Sequence, residues 1–330
     1  MKVVIPLAGK GTRLRPHTLT VPKPLLEVAG KPVLDYVVND ILDTLDVDQL
    51  VFITGHLKEH VEAHVRERYD IPAAFVEQKV QDGTAGAVKL AAPFVDGPVL
   101  IVFVDTLFDA DLSGIDSSPD ADGLIWAKEV EDYQRFGVIV TDDEGYMQLI
   151  VEKPSEPISR LANIGLYYIR NHELLFEGIE KTLAGTPRLG EYFLTDAFQY
   201  MIEQGARIKV EQVEGWYDCG KPETLIATNR HLLETGRALV PKNVGDSLIV
   251  EPVRIEKGVE LSGSTIGPNV TVSRDARIVR STLADCIVGR GAVIVESALH
   301  DSLIGTQVEV RGVRGRALLG DSSAAWIDGD

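Results

Sequence analysis

The sequence predicts an α/β domain with a mixed sheet, followed by a short parallel β-helix. Three observations support this prediction: β-branched runs alternate with helical patterns over the first 130 residues, strand-rich segments follow from 122 to 170, and a six-residue repeat begins after Pro241. A chain of 330 residues, of which 45% are hydrophobic, can bury a full core, and its length favours two domains. We predict that the first domain covers residues 1–240 and the second residues 241–330.

The first domain begins with short apolar runs, each of which predicts a strand. They are Val3–Ile5, Leu50–Ile53, Ala74–Val76 and Val99–Val104. Between the first two, apolar residues from Val33 to Leu45 recur at helical spacing, so we predict a crossover helix. This alternation indicates βαβ units around a largely parallel sheet. The strand-rich lobe at 122–170 makes the sheet mixed, and helical patterns follow near 172–184, 191–204 and 221–236.

After Pro241, four segments share a template in which an aliphatic residue recurs six positions later. They start at Ile255, Ile266, Val288 and Ile304. A longer match aligns residues 281–289 with residues 297–305. Hexapeptide repeats of this kind resemble the left-handed parallel β-helix, in which aliphatic side chains fill a narrow core and polar residues turn the corners. We interpret the tail as a stacking module that packs on the first domain or on another subunit.

A second interpretation gives the tail its own chemistry. Sugar acetyltransferases use the same β-helix with a catalytic histidine. Here only His300 is available, and the predicted β-helix is short. We therefore favour the stacking module.

Net charge, the length of apolar runs and the number of cysteines argue against several classes of protein. A formal net charge of −17 argues against a general affinity for nucleic acid, so any phosphate site must be local. No run approaches the roughly 20 apolar residues of a membrane span, and no signal-peptide cleavage site follows the start, so we predict a cytoplasmic protein without a membrane partner. Cys219 and Cys286 are too few for a disulfide framework and are expected to be reduced.

The strongest local pattern is a glycine-rich segment from Leu7 to Thr18, followed by Pro22-Lys23-Pro24-Leu25. A glycine-rich turn after the first parallel strand exposes backbone N–H groups at the sheet edge where phosphates bind. The dinucleotide fingerprint would need a third glycine where Leu14 stands, and a P-loop would need Gly-Lys-Ser/Thr where Gly9-Lys10-Gly11-Thr12 stands. The segment therefore predicts a phosphate cradle of another kind.

This pattern, Gly-x-Gly-Thr-Arg-Leu-x-Pro-x-Thr followed by Pro-Lys-Pro-Leu, resembles the signature of the sugar-phosphate nucleotidylyltransferases. Six further motifs resemble that family in order along the first domain; they begin at Gln78, Val104, Phe136, Glu152, Asn163 and Trp216. The resemblance implies a Rossmann-like nucleotide-diphospho-sugar transferase domain. The β-helix tail is similar to that of the long-form glucose-1-phosphate thymidylyltransferases.

The resemblance also implies roles for single residues. Those implied to bind the nucleotide are Leu7, Ala8, Gly9, Gly11, Thr12, Arg13, Gln78, Gly83 and Thr84. Those implied to bind the sugar phosphate are Gly137, Glu152, Lys153, Asn163, Gly165 and Trp216. Arg13, Lys23 and Lys153 are the implied catalytic residues, and Asp105 and Asp218 the implied ligands of Mg²⁺.

The implied reaction joins a nucleoside triphosphate to a sugar 1-phosphate and releases pyrophosphate. Because the attacking phosphate oxygen is already anionic, no general base is required, and catalysis can rest on positioning and charge neutralisation. Subgroup features favour dTTP or UTP with glucose 1-phosphate. A mannose-1-phosphate guanylyltransferase that uses GTP is the alternative, and a catalytically silent regulatory or assembly subunit is a further one. We also expect a homo-oligomer, formed in part through the β-helix.

His56, His60 and His64 lie four residues apart and could suggest a zinc site. His56 and His64 are two helical turns apart, too far to share one ion easily. We interpret the three as a solvated helix face.

Overall fold

The computed structural model describes residues 1–115 and 118–327. The chain divides into two compact units. Unit 1 comprises Met1–Gly9 and Val37–Trp216, and unit 2 comprises Lys10–Tyr36 and the chain from Tyr217 onward. The predicted boundary at residue 240 lies inside unit 2, and the assignment of residues 1–240 and 241–330 to two domains stays a prediction.

The described residues form six α-helices and 26 strands. The helices are α1 (Val33–Thr44), α2 (Lys58–Arg68), α3 (Thr84–Lys89), α4 (His172–Ala184), α5 (Leu194–Glu203) and α6 (Pro222–Leu232). The first thirteen strands are β1 (Lys2–Pro6), β2 (Glu27–Val28), β3 (Lys31–Pro32), β4 (Gln49–Thr54), β5 (Ala73–Glu77), β6 (Val99–Val102), β7 (Thr106–Asp109), β8 (Gly123–Glu129), β9 (Gly137–Thr141), β10 (Met147–Glu152), β11 (Leu161–Ile169), β12 (Ile208–Gln212) and β13 (Gly215–Asp218). The others are β14 (Leu248–Ile249), β15 (Val253–Ile255), β16 (Glu260–Ser262), β17 (Thr265–Ile266), β18 (Val270–Val272), β19 (Arg277–Val279), β20 (Thr282–Val288), β21 (Val293–Val295), β22 (Ala298–Ile304), β23 (Glu309–Arg311), β24 (Arg314–Gly315), β25 (Leu318–Leu319) and β26 (Ala324–Trp326).

Unit 1 is built on a nine-stranded mixed sheet, which confirms the predicted α/β class. Seven strands follow the order β10-β9-β11-β6-β1-β4-β5, and β8 joins β11 to β12. Strand β1 pairs in parallel with β4 and β6, whereas β11 runs antiparallel to β6, β8 and β9. The parallel centre therefore comes from the alternating runs, and the antiparallel side from the predicted lobe.

The apolar side chains of this sheet are buried on both faces, as in sheets that helices cover. Val4, Val51 and Ile101 are fully buried, and Phe198 and Met201 of α5 belong to the same core. Strand β6 ends at Val102, two residues before the apolar run does, and the Phe103 N–H donates to the carbonyl of Gly165. The last two residues of the run thus lead into a turn.

The tail of unit 2 consists of parallel strands that repeat coil after coil, as the hexapeptide pattern predicts. One sheet has the order β16-β19-β21-β23-β26, and the longer β20 and β22 belong to a second. Leu283 pairs with Leu299, so the strands follow the predicted alignment of residues 281–289 with 297–305. Aliphatic side chains such as Ile278 and Ile294 fill the core.

Polar residues turn the corners of these coils. Asn269, Asp275, Asp285 and Asp301 have φ values of 62°, 61°, 50° and 46°. Besides glycine, asparagine and aspartate adopt this left-handed region most readily. These residues are therefore compatible with sharp bends, which lie between strands at Asn269 and Asp275 and within β20 and β22 at Asp285 and Asp301.

Helix α6 joins the β-helix to the segment Lys10–Tyr36 inside unit 2. The fully buried Asn229 of α6 accepts hydrogen bonds from the Ala29 N–H at 2.9 Å and from the Thr271 hydroxyl at 2.7 Å. Its Nδ2 donates to the carbonyl of Asn269 at 3.2 Å. Because a buried amide needs such partners, this side chain fixes the early segment against the β-helix.

Three smaller predictions can be followed in the described residues. Cys219 and Cys286 are both buried and free of any disulfide. No helix in residues 1–115 and 118–327 is long and apolar enough to cross a membrane. His60 and His64 lie on α2 and His56 precedes it, and no metal-binding group of three or more His, Cys, Asp or Glu is found within the same residues.

Candidate active site

The carboxyl edge of the parallel strands carries the first predicted site residues. Strand β1 ends at Pro6, between β4 and β6, and the chain continues through Leu7, Ala8 and Gly9. The Leu7 N–H donates to the carbonyl of Ile53, and Gln81 Nε2 donates to the carbonyl of Ala8 at 2.8 Å. Gly9 is exposed, with open space around it. These residues form an open backbone turn at the edge where phosphates commonly bind.

The rest of the glycine-rich turn belongs to unit 2 and is tightly packed at Gly11. Gly11 has a φ of +60°, and a Cβ there would lie 2.9 Å from the Thr18 methyl carbon and 3.1 Å from Lys23 Cβ. The Thr18 hydroxyl donates to the Gly11 carbonyl at 2.8 Å. A side chain at this position would therefore displace both the turn and the start of the Lys23 segment.

Short 3₁₀ turns present the predicted charged residues of this segment. In Thr12–Leu14, the side chain of Leu14 is fully buried while Arg13 is exposed. Lys23 begins the turn Lys23–Leu25 and is partly buried. The buried leucine anchors the turn and leaves the guanidinium of Arg13 on its outer side.

Arg13 and Asp218 meet over a glycine. A Cβ on Gly220 would lie 2.7 Å from Asp218 Oδ1 and 3.1 Å from Arg13 Nη2. Asp218 Oδ1 accepts a hydrogen bond from the Gly220 N–H at 2.7 Å, which occupies one of its two oxygens. The structure thus brings together two residues that are far apart in sequence. Arg13 is predicted to bind the nucleotide, and Asp218 is predicted to bind Mg²⁺.

In unit 1, a second cluster forms around Gly137. A Cβ on Gly137 would lie 2.3 Å from Asn163 Nδ2, 2.8 Å from Thr195 Cγ2 and 2.9 Å from Glu152 Oε2. Asn163 Nδ2 donates to the Gly137 carbonyl at 3.0 Å, and the Thr195 hydroxyl donates to Glu152 Oε2 at 3.1 Å. Glu152 and Asn163, which the sequence assigned to the sugar phosphate, therefore pack with Thr195 around Gly137, where only glycine fits.

Burial is the main influence on the pKa of Glu152. Burial raises the pKa of its carboxyl group, and the neighbouring Lys153 and the hydroxyl of Thr195 partly oppose this rise. Burial, together with the carboxylates of Glu152 and Asp105, also raises the pKa of Tyr167, whose hydroxyl donates to Asn163 Oδ1. The hydrogen bonds among Thr195, Glu152, Tyr167 and Asn163 hold the polar groups of this pocket in fixed orientations.

Lys153 follows β10 in a left-handed conformation, with a φ of 45°. Its Nζ lies 3.8 Å from Glu152 Oε1 and 4.7 Å from the centre of the Phe193 ring. A non-glycine residue in this region is uncommon and is often found at functional sites. The ammonium group is held beside a buried carboxylate and an aromatic face while remaining partly exposed to a ligand.

Trp216 and Gly165 complete the predicted set in this unit. The ring of Trp216 packs edge-on against Phe136, with 4.9 Å between centres, and among the described residues its buried Nε1 finds no hydrogen-bond acceptor. Gly165 has a φ of +82°, and a Cβ there would lie 3.1 Å from Phe103 Cβ. The unsatisfied indole N–H is a donor available to a ligand oxygen, since buried polar groups are nearly always paired.

The loop that contains Gln78, Gly83 and Thr84, predicted to bind the nucleotide, is held by its own side chains. Gln78 Nε2 donates to Asp82 Oδ1 at 3.0 Å and to the Gly83 carbonyl at 3.1 Å. Gly83 has a φ of +121°, and the Thr84 hydroxyl accepts from the Leu194 N–H at 2.9 Å. With both amide hydrogens donated, Gln78 offers only its Oε1, an acceptor, to a ligand.

Asp105 lies in the turn between β6 and β7, at the same edge of the sheet as the end of β1. Its carboxylate is partly buried, and Asp218 is partly buried in unit 2. Mg²⁺ typically takes one or two carboxylates together with substrate phosphates, so oxygen donors of this kind suit it without a dedicated protein cage. The metal assignment of Asp105 and Asp218 stays a prediction.

The sequence analysis missed several residues that organise the site. Thr195 donates to Glu152, Phe193 lies under Lys153, and Gln81 holds the carbonyl of Ala8. Their contacts are distant in sequence, and no local pattern marks these contacts. Gln81 and Thr18 stood within recognised motifs, although their contacts with Ala8 and Gly11 were not predicted.

Several known proteins resemble this chain in sequence or in fold. Residues 2–235 match the family model described as nucleotidyl transferase. The bifunctional protein GlmU of Methanococcus aeolicus is 37% identical over 263 residues, which are 79% of this chain and 62% of that protein. A glucose-1-phosphate thymidylyltransferase of Streptomyces griseus is 30% identical and aligns over 99% of both chains. A solved structure of UDP-glucose pyrophosphorylase complexed with UDP-glucose has a TM-score of 0.64 at 24% identity, covering 71% of this chain and 98% of its own, and supports the fold.

Proposed function

This chain belongs to the nucleotidyl transferase family, and we propose that it transfers a nucleotidyl group from a nucleoside triphosphate to a sugar 1-phosphate. Family membership confirms the resemblance found in the sequence. In the proposed reaction, an oxygen of the sugar phosphate bonds to the α-phosphorus while the bond from that phosphorus to the pyrophosphate oxygen breaks. The products are a nucleoside diphosphate sugar and pyrophosphate.

The observation that carries this proposal is the convergence of Arg13 and Asp218 over Gly220, beside the Gly11 turn. The triphosphate would meet the backbone N–H groups of the turn and the charges of Arg13 and Lys23. Positive charge at the pyrophosphate stabilises the leaving group as the bond to the α-phosphorus breaks. Asp218 lies on the other side of Gly220, with one of its oxygens engaged by the backbone.

For the sugar 1-phosphate, we propose the cluster around Gly137 in unit 1. Lys153 would bind the phosphate, because its ammonium is partly exposed and is held beside Phe193. Glu152, fixed by Thr195, would accept hydrogen bonds from sugar hydroxyls, and the indole N–H of Trp216 would donate one. A carboxylate acceptor and an indole donor suit the hydroxyl groups of a sugar ring better than an apolar ligand.

We propose Mg²⁺ as the metal, with Asp105 and Asp218 as its protein ligands. When bound, Mg²⁺ would neutralise phosphate charge and orient the triphosphate. A cytoplasmic location and self-association through the β-helix also stay predictions.

For the base, we propose a pyrimidine nucleotide, dTTP or UTP, with glucose 1-phosphate as the acceptor. Gln78 offers only an acceptor oxygen, and uracil and thymine present an N3–H that can donate to it. The thymidylyltransferase that aligns over 99% of both chains supports the same choice. Guanine also presents an N–H donor, so GTP with mannose 1-phosphate is the alternative.

The test is a pyrophosphate-release panel. The wild-type protein is mixed with dTTP, UTP, GTP, ATP or CTP and with glucose, mannose, galactose or N-acetylglucosamine 1-phosphate, with and without Mg²⁺. We expect turnover with dTTP or UTP and glucose 1-phosphate. Turnover only with GTP would support the alternative, and silence throughout, in a folded protein, would support a regulatory or assembly subunit.

A matched pair of variants connects the panel to the site. Lys153→Met should lower kcat/KM for the sugar 1-phosphate by roughly 10- to 100-fold, because a hydrogen bond from a charged group contributes about 1.5–3 kcal/mol. Lys257→Met, which removes the same charge at an exposed turn of the β-helix, should leave kcat/KM unchanged. Equal activity of the two variants would contradict the assignment of Lys153.

A further inference from the structure

The last described coil of the β-helix contacts the segment that follows the glycine-rich turn. The Thr20 hydroxyl donates to Asp321 Oδ2 at 2.9 Å, and Asp321 Oδ1 accepts from the Thr306 N–H at 2.7 Å. Next to this pair, a Cβ on Gly320 would lie 3.1 Å from Pro16 Cβ and 3.2 Å from the Pro16 carbonyl oxygen. Asp321 is therefore fixed by the preceding coil and holds a residue of the early segment, all within unit 2.

Hydrogen bonds continue from Thr20 toward the glycine-rich turn. The 3₁₀ turn His17–Leu19 ends immediately before Thr20, and the Thr20 hydroxyl also lies 3.4 Å from the His17 carbonyl. Within that turn, Thr18 is fully buried and donates to the Gly11 carbonyl at 2.8 Å. Gly11 directly precedes the turn that carries Arg13. A displacement of Thr20 is thus transmitted through one short, buried turn to the backbone around Arg13.

We propose that Asp321 is a positioning residue for the nucleotide, and that the β-helix completes the triphosphate site of its own chain. This inference rests on the proposed function. Asp321 takes no part in the proposed chemistry: its two carboxylate oxygens are engaged by Thr20 and Thr306. Its effect is to lower the number of orientations available to the Gly11 turn, so that less ordering accompanies triphosphate binding.

The kinetic test uses two variants on opposite sides of the contact. Asp321→Ala removes the acceptor, and Thr20→Val removes the donor while leaving the β-helix intact. Both should raise KM for the nucleoside triphosphate about fivefold, the size of effect that one partly exposed hydrogen bond to a charged group supports, and should leave KM for the sugar 1-phosphate unchanged. Thr20→Ser keeps the hydroxyl and should restore the wild-type KM. The double variant should be no worse than either single one, because both changes break the same contact.

Asp301→Ala is the matched control, since Asp301 is an exposed corner residue of the β-helix whose partner is the exposed His300. The inference is wrong if Asp321→Ala behaves like Asp301→Ala, if KM for both substrates rises together, or if Thr20→Ser is as impaired as Thr20→Val. A general loss of folding would affect both substrates and would be visible as a lowered Tm.

Hydrogen exchange separates this inference from the proposed function. In Asp321→Ala and Thr20→Val, backbone amides of residues 11–20 should exchange faster than in the wild type, while those of β1 and β4 should not change. This result would support the positioning role even if the wild-type protein formed no nucleotide sugar. Unchanged exchange in residues 11–20 would refute it, whatever the activity.

Discussion

Acid pH should destabilise the fold through one buried histidine of the early segment. His17 is only 3% exposed, and among the described residues its Nε2 atom has no hydrogen-bond partner. Burial lowers the pKa of His17 from 6.5 to about 4, and the carboxylate of Asp321 partly opposes this shift. An imidazolium ion at this position would lose its hydration without gaining a hydrogen bond at Nε2, so the folded state resists protonation.

The sign and size of the effect follow from the two pKa values. Between pH 6.5 and about 4 the unfolded chain binds a proton that the folded chain does not, so the free energy of unfolding falls as the pH falls. At 1.36 kcal/mol per pKa unit, the whole window corresponds to a loss of about 3 kcal/mol, and at pH 5 the loss is about 2 kcal/mol. Above pH 6.5 and below pH 4, this residue contributes no further slope.

The assay is urea unfolding at pH 7.5 and pH 5.0 for the wild type, His17→Gln and the control His60→Gln. Glutamine cannot take up a proton, so the decrease in unfolding free energy between the two pH values should be about 2 kcal/mol smaller in His17→Gln than in the wild type. Any packing defect of the variant cancels in this difference. His60 is exposed on α2, and its variant should retain the wild-type pH dependence. Equal pH dependence in wild type and His17→Gln would refute the reasoning.

Three other predictions concern the proposed site. Asp105→Asn should abolish pyrophosphate release in Mg²⁺ while leaving the circular dichroism spectrum and Tm unchanged; retained turnover would remove Asp105 from the metal assignment. Thr195→Val leaves buried Glu152 without its donor, so kcat/KM for the sugar 1-phosphate should fall about tenfold, and the acid limb of its pH profile should move to higher pH because the pKa of Glu152 rises further. Gly220→Ala places a methyl group 2.7 Å from Asp218 Oδ1 and should lower kcat at least tenfold, whereas Gly97→Ala, where nothing lies within 4 Å, should be neutral in the same assay.

Local patterns predicted the regular elements of unit 1 well where hydrogen bonding is also local. The pattern at 172–184 coincides with α4, because the Asn171 side chain caps its first turn by accepting from the Leu174 N–H. The pattern at 191–204 overestimates α5, which begins at Leu194. The physical reason lies elsewhere in the chain: the backbone of Tyr192 bonds to Asp82 and Ala85, which keeps the residues before Leu194 out of the helix.

Some residues of the candidate site could likewise be predicted from local sequence, whereas others are defined only by contacts with distant residues. Residues that must be glycine for backbone reasons, such as Gly11 and Gly83, are visible in the sequence because spacing marks them. Thr195 is not visible, because its only mark is a hydrogen bond to Glu152 from the start of α5. The resemblance to the family identified Glu152 as a site residue, whereas Thr195, which orients Glu152, could be identified only from the structure.

The largest difference between sequence and structure concerns which segments belong together. The repeat pattern begins after Pro241, but the compact unit that contains the β-helix also includes Lys10–Tyr36. Asn229 has partners on both sides, in Ala29 and in Thr271, and Thr20 bonds to Asp321 across 301 positions of sequence.

Cutting the chain at residue 240 would leave the fully buried Asn229 without its β-helix partners, and unpaired buried polar groups cost about 1–3 kcal/mol each. Loss of activity after such a truncation would therefore report on the support of the glycine-rich turn, and only substitutions such as Asp321→Ala can separate that support from chemistry in the tail.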